Sequence, residues 1–344
     1  MHRAGRVAQV AAARDAFVLA ALVSAGPSAP ARFVPIATEV IPLGVGSAIP
    51  TRDRHLSATA LRREGRLLLF DCGEGTQRQL LEAGLLRGRL AAICITHFHG
   101  DHLYGLPGLL TTLALQERTE PLTLVGPEGL RRILTSLPGL ARDWLPYPVR
   151  YVEIAEGTEH QTVFEDRVWT IEARPLDHRV TCFGYRVSER ARPGRIDAEA
   201  ARAAGITRGP DFEALKRGET VTLPDGRRVA PDGLVGPERP GVVVAYCLDT
   251  RPCEGGRLLA SGADLVIHEA TFADAHADRA DGVGHSTARE AAAVARDAGA
   301  RRLLLTHFSA RYRSPDDLVA EAREIFPATD AAEELVPIRL EPPA

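Results

Sequence analysis

The stretch Ile93–Leu110, "ICITHFHGDHLYGLPGLL", puts His97, His99, Asp101 and His102 within six residues of a chain that holds eleven histidines. The run "LAAICIT" before the cluster is short, apolar and β-branched, and it reads as a buried strand. The run "LYGLPGLLTTLALQ" after it reads as an apolar-faced helix beginning beyond the cluster. The cluster therefore falls in the loop at the C-terminal end of a strand, where α/β sheets place ligand chemistry. Alternation sends His97 and His99 the same way, and Asp101 and His102 follow at the turn into the helix. A polar surface loop could gather histidines by chance. Neutral imidazoles and a carboxylate aimed at one point, however, make a ligand set for zinc or a similar divalent ion.

The chain has 344 residues, a formal net charge of −3 and an ordinary share of apolar and charged residues. That composition suits a globular protein and gives no global basic field, so any site for a polyanion must be local. The five cysteines, Cys72, Cys94, Cys182, Cys247 and Cys253, form no CxxC pair and are odd in number. This suits buried thiols in a reducing cytoplasm and not a disulfide frame. Residues 1–36 mimic a secretory signal, but Arg14 and Asp15 interrupt the apolar run. They are read as a dispensable leader, disordered or weakly helical, with a targeting signal as the other reading. No stretch is long enough for a transmembrane helix.

From residue 37 to 344, strands alternate with helices. "EVIPLGVGSAIP", "SATALRREGRLLLFDCGEG", "PLTLVGP", "GVVVAYCLDT", "ADLVIHEAT" and "RRLLLTHFS" read as strands; "GTQRQLLEAGL", "EGLRRILTSL", "STAREAAAVARDAG" and "SPDDLVAEAREIF" read as helices. The pattern implies mixed sheets covered by helices in one layered α/β domain. Residues 188–240 break the rhythm. They are rich in glycine, proline and charge, with little apolar periodicity apart from short helical pieces, and read as an inserted, flexible, protruding arm.

Three more polar residues close apolar strands as His97 does. His178 lies between "TIEARPLD" and "VTCFGYRV", Asp249 ends "GVVVAYCLD", and His307 ends "RRLLLTH". One metal could take His97, His99 and His178; a second could take Asp101, His102 and His307; Asp249 could bridge them. Two such ions acidify the water between them and stabilise both oxygens of an in-line displacement, which points to hydrolysis of a phosphodiester or related ester.

The motif "HFHGDH" resembles the HxHxDH signature of the metallo-β-lactamase superfamily. With "PLDHRVTCFGYR", "YCLDTRPC", "HEATF", "GHSTA" and "LTHFSARY", the chain from about Thr38 to Phe326 resembles the ribonuclease Z family. The resemblance implies an αββα sandwich with a protruding arm. It implies two Zn2+ per subunit, other divalent ions such as Mn2+ being compatible with the same ligands. It implies removal of the 3′ trailer from precursor tRNA by a cytoplasmic homodimer. Asp101 would orient or deprotonate the attacking water; His285 of "GHSTA" would stabilise the transition state or protonate the leaving oxygen, oriented by Glu269 of "HEATF". In such a family the arm carries a Gly-Pro tip, matched here by Gly209 and Pro210. Phosphate contacts would fall to Arg195, Arg208, Lys216 and Arg217. "IPTRDRHLSA" sits where the family has a PxKxRN loop near the tRNA 3′ end, so Arg52 and Arg54 are further candidates for RNA contact. Here Arg52 replaces the lysine and His55 the asparagine, which alters the handling of a CCA end. A metal-dependent phosphodiesterase or arylsulfatase-like hydrolase of small esters is the alternative; the arm argues against it.

Overall fold

The computed structural model describes residues 37–140 and 145–342. The expectation of a leader over 1–36 lies outside the described residues. The first sheet contains β1 (Thr38–Gly44), β2 (Ala58–Arg63), β3 (Arg66–Phe70), β4 (Arg89–Cys94), β5 (Leu122–Pro127) and β6 (Val149–Ile154). The second contains β7 (Gln161–Glu165), β8 (Trp169–Leu176) and β9 (Cys182–Glu189). A hairpin of β10 (Val221–Thr222) and β11 (Arg228–Val229) stands apart. The second sheet then resumes with β12 (Val243–Cys247), β13 (Leu265–Glu269), β14 (Leu303–Thr306) and β15 (Thr329–Ala331), and β16 (Ile338–Leu340) returns to the first. Each large sheet has seven strands, in the orders β16-β1-β2-β3-β4-β5-β6 and β15-β14-β13-β12-β9-β8-β7.

The strands are apolar on both faces because both are covered. Leu61, Leu68, Phe70, Ala92 and Cys94 join the core shared with β8, β9, β12 and β13. Their alternates Ala60, Leu67, Leu69 and Ile93 pack in a second core with the leucines of the helix Leu106–Leu115. The αββα sandwich follows from that period-two split. Four short elements carried no readable periodicity: the helices Glu254–Ala260 and Ala277–Val283, and the three-residue strands β15 and β16. "EGGRLLA" was hidden by its two glycines.

Residues 188–240 hold secondary structure of their own. The arm's outgoing and returning chains pair through Arg192 with Arg239 and Ile196 with Val235. Beyond that stem lie the helices Ala198–Ala203 and Gly209–Lys216 and the β10–β11 hairpin. Ala201, Ile206, Leu215, Val221 and Leu223 are buried together as a separate small core. The apolar residues were present, but each short element contributes only one or two, so no period showed in the sequence.

At the root of the arm, Arg63 of β2 and Glu189 of β9 form an ion pair at 2.5 Å, both side chains 3% exposed. The other Glu189 oxygen accepts the Val242 backbone N–H at 3.0 Å. The pair thus ties one sheet to the other where the arm departs. Removing the carboxylate leaves a buried cation without its nearest counter-charge. Glu189→Ala is expected to cost about 3–5 kcal/mol in urea unfolding, whereas Glu165→Ala, an exposed pair with Arg190, should cost no more than about 1 kcal/mol.

Candidate metal centre

Parallel pairing aligns strand ends. Phe70 lies opposite Cys94 in β3 and β4; Cys247 lies opposite His268 in β12 and β13, and Glu269 opposite Thr306 in β13 and β14. The residues that follow converge on one edge of the sandwich: Asp71, His97, Asp249 and His307. Asp71, Asp249 and His307 have φ of 56°, 50° and 59°, a left-handed conformation that strains residues with a Cβ. The chain turns sharply at each strand end and swings the side chain inward. Gly100 starts a helical turn, Gly100–Leu103, inside the cluster. Asp101 and His102 therefore sit on a short helical turn of their own, and the expected helix begins beyond the cluster, at Leu106.

The seven expected ligands form two groups that share Asp249. In the first, His97 Nε2 lies 2.9 Å from His99 Nδ1, which lies 3.4 Å from His178 Nε2; Asp249 Oδ2 is 3.6 Å from His97 and 3.9 Å from His178. In the second, His102 Nε2 and His307 Nε2 are 3.3 Å apart, and Asp101 Oδ2 is 3.5 and 3.6 Å from them. Asp249 Oδ1 reaches this group, 3.2 Å from His102 and 3.0 Å from His307.

The opposite nitrogens fix the tautomers. His102 Nδ1 donates to Asp71 at 2.8 Å and His178 Nδ1 to the Gly284 carbonyl at 2.7 Å. Thr96 Oγ1 gives its proton to Asp71 and so accepts from His97 Nδ1 at 2.9 Å. Thr271 Oγ1 gives its proton to Glu269 and accepts from His307 Nδ1 at 2.8 Å. Each of these imidazoles therefore turns an Nε2 lone pair toward the cluster, the arrangement a bound cation requires. Burial, reinforced by neighbouring imidazoles, pushes the pKa of His97 well below its usual value. Burial lowers His99 and His178 as well, so all three are neutral donors.

Asp249 tests the fit. Its Oδ1 is buried and accepts no hydrogen bond among the described residues. An uncompensated buried carboxylate oxygen is costly, and a cation between the two imidazoles and this oxygen supplies what is missing. The donor set is all imidazole nitrogen and carboxylate oxygen, suited to borderline divalent metals.

His285 and Glu269 stand beside the clusters. Glu269 is fully buried, and its Oε1 accepts the Thr250 N–H at 2.7 Å and His285 Nδ1 at 2.8 Å. His285 Nε2 is left 4.0 Å from Asp249 Oδ2. Burial pushes the His285 pKa down, but the Glu269 charge and hydrogen bond outweigh it and raise it to about 9.

Asp71 escaped the sequence reading. It is fully buried and accepts the Thr96 N–H at 2.8 Å, the Thr96 hydroxyl, His102 Nδ1 and the Tyr246 hydroxyl at 3.1 Å. The signal was available, since "RLLLFD" is an apolar strand closing on a carboxylate, as "YCLD" is. Among the expected RNA contacts, Arg52 is exposed. Arg54 is buried, donates to the Tyr312 and Arg313 carbonyls at 2.8 and 3.1 Å, and lies over the Phe308 ring. Gly209 and Pro210 form the exposed first turn of the arm's second helix. Lys216 pairs with Glu213 at 2.8 Å and Arg217 with Glu219 at 2.7 Å, pairs of the exchangeable surface kind.

Comparison with known proteins gives a consistent result. Residues 229–308 match the family model described as beta-lactamase superfamily domain, and residues 38–142 match that of the anti-Pycsar protein Apyc1. A protein named ribonuclease Z from Salinibacter ruber is 57% identical over 305 residues, covering 88% of this chain and 95% of its own length. One of the same name from Bacillus licheniformis is 44% identical, covering 86% and 96%. The crystal structure of the short form of human tRNase Z is similar with a TM-score of 0.62 and 32% identity, covering 87% of this chain and 98% of that one.

Asp71→Ala should loosen His102, Thr96 and, through Thr96, His97 together. Divalent-metal affinity, read by competition with a chromophoric chelator, is expected to fall about 10- to 100-fold. An unchanged affinity would mean that the imidazoles hold their orientation without it.

Proposed function

This chain belongs to the ribonuclease Z family, and from that premise we propose that it is a zinc-dependent endoribonuclease that removes the 3′ trailer from precursor tRNA. The observation that carries the reading is the pair of ligand clusters sharing Asp249, with the His285–Glu269 pair alongside. Two Zn2+ ions, one held by His97, His99 and His178 and the other by Asp101, His102 and His307 with Asp249 between, would acidify water and screen the phosphodiester charge.

The chain's own groups do the rest. Asp101 Oδ2 is held by the Ala48 N–H at 2.8 Å, which leaves its other oxygen to orient the attacking water. His285 carries a proton at neutral pH and donates it from Nε2 to the leaving 3′ oxygen as the P–O bond breaks. The tRNA leaves with a 3′-hydroxyl and the trailer with a 5′-phosphate. Glu269 acts through His285 and does not touch the substrate.

The arm is read as the grip on tRNA, through Gly209 and Pro210 and through Lys216 and Arg217 once they exchange their carboxylate partners for phosphate. The protein is read as a cytoplasmic homodimer. In support, Leu81 and Tyr104, 62% and 72% exposed, flank a groove of about 590 Å³, the kind of apolar surface that a partner covers. Among the described residues no helix is long and apolar enough to cross a membrane.

A 5′-labelled precursor tRNA with a short trailer should be cut once at the acceptor end by zinc-loaded protein and not by Asp101→Ala. Hydrolysis of bis(p-nitrophenyl) phosphate alone would overturn the substrate assignment while sparing the metal centre. His285→Ala is expected to cost on the order of 10² to 10⁴ in rate. The wild-type rate should hold through neutral pH and fall above about 9, as His285 loses its proton. Glu269→Gln removes the charge that raises this pKa and leaves the burial that lowers it, so the alkaline limb should move to lower pH. A limb that stays in place would free His285 of the donor role.

A further inference from the structure

The loop between β1 and β2 carries a contact of the metal centre on an exposed tip. Residues 48–53 are exposed, so no apolar burial fixes them. Yet the Ala48 N–H donates to Asp101 Oδ2 at 2.8 Å and so orients that carboxylate. Ala48 makes this bond with φ of 62°, a left-handed conformation that its Cβ disfavours. A strained residue on an exposed tip keeps such a shape only when the neck of the loop is fixed. If the neck slackens, relaxation of Ala48 turns its N–H away from Asp101.

The neck is tied on two sides. On one, the Ser47 N–H donates to the Phe308 carbonyl at 3.2 Å and the Phe308 N–H to the Val45 carbonyl at 2.8 Å, next to His307. On the other stands Glu334, which the mechanism above does not use. It lies in the turn between β15 and β16, where the chain crosses from the second sheet to the first. Leu335 reverses the chain there with φ of 64°, and its N–H donates to the Pro42 carbonyl of β1 at 2.8 Å. The Glu334 side chain, 14% exposed, is thereby delivered to the neck.

Both of its oxygens are used. Oε1 accepts the Val45 N–H at 3.3 Å and the His55 N–H at 2.6 Å, one from each end of the loop. Oε2 accepts from His55 Nδ1 at 2.7 Å and from Gln79 Nε2 at 3.1 Å. Gln79 is buried on the helix Thr76–Glu82 and also donates to the Leu43 carbonyl at 2.8 Å. One carboxylate thus joins β1, both ends of the loop and a helix. Without it, two partly buried backbone N–H groups lose their acceptor, and opening the neck to water is the way to satisfy them.

We propose that Glu334 is a positioning residue for the hydrolysis: it closes the neck of the loop and so holds the Ala48 N–H on Asp101, without touching substrate or cation. The assignment rests on the role given above to Asp101. The test is kcat and KM of zinc-loaded wild type, Glu334→Ala and Glu334→Gln on bis(p-nitrophenyl) phosphate and on precursor tRNA. Hydrogen exchange of the peptide spanning residues 45–55 is read alongside by mass spectrometry. The small ester isolates Asp101, because its hydrolysis needs no contact between the loop and RNA. Glu334→Ala should lower kcat about tenfold on both substrates, the scale of one net hydrogen bond, with KM for the small ester within about twofold. The loop peptide should exchange faster. Glu334→Gln keeps an amide oxygen for the two backbone N–H groups and should recover most of the rate and the protection. If Glu334→Ala does not fold, Glu334→Asp, which keeps the charge but falls short of the neck, takes its place with the same expected losses. A folded Ala variant with wild-type kcat overturns the proposal. So does a loss confined to KM for precursor tRNA, which would set the loop against RNA and not against Asp101. Equal losses in the Ala and Gln variants overturn it too, since they trace to the charge and not to the bonds at the neck. Wild type that hydrolyses neither substrate would remove the role of Asp101 itself and the proposal with it, an outcome distinct from the others.

Discussion

The centre depends on one constraint: four imidazoles, two in each ligand group, must present an Nε2 lone pair inward, and a hydrogen bond at the other ring nitrogen is what holds a histidine that way. Here Nδ1 of His97, His102, His178 and His307 meets Thr96, Asp71, Gly284 and Thr271. Two of these acceptors are hydroxyls, whose direction is fixed in turn because they give their protons to Asp71 and Glu269. The orientation of His97, His102 and His307 is thus set by two buried carboxylates that need not touch a metal. Asp71 also receives the Tyr246 hydroxyl, and Tyr246 packs against Phe70 at 5.3 Å between centroids. The packing of the sandwich interior and the aim of the ligands are therefore continuous.

This arrangement concentrates cost at the sheet edge. Three residues with a Cβ hold positive φ, and Asp249 keeps a buried oxygen without a hydrogen-bond donor. In a folded protein such terms persist only where surrounding structure overdetermines them. The parallel ladders of β3 with β4 and of β12, β13 and β14 supply that rigidity, because each strand end is fixed by its neighbours. A bound cation would also relieve the Asp249 charge, so metal binding and stability are linked in this fold.

Much of this was legible in the sequence because the chemistry sits where patterns change. His97, Asp249 and His307 each interrupt an apolar strand at its end, and "HFHGDH" is dense enough to be seen alone. What escaped was of two kinds. Asp71 follows the same strand-end rule but stands in "FDCGEG" without a histidine beside it, and a lone carboxylate near a turn looks like any turn residue. Arg54 illustrates the other kind. Its charge suggested RNA, whereas its fate was decided by Phe308 and two carbonyls more than 250 positions away in sequence. Local pattern carries no information about such long-range contacts. The arm's small core was hidden likewise, its apolar residues scattered one or two per element across short pieces that meet only in space.

The second carboxylate, Glu269, links the two halves of the chemistry. Through Oε1 it holds His285, and through Oε2 and the Thr271 hydroxyl it holds His307. It also receives the N–H of Thr250, the residue after Asp249, while the Ser286 hydroxyl, next to His285, donates to the Thr250 carbonyl at 2.6 Å. A shift of His285 relative to His307 and Asp249 would have to break several buried hydrogen bonds together, each costly to leave unmade. His285, His307 and Asp249 are therefore held together by one buried network. The arm, by contrast, has its own core and leaves the sandwich through a two-chain stem. Changes in the arm can therefore be made without disturbing the buried hydrogen bonds of the centre, the division expected when function is placed as separate sites on a common fold.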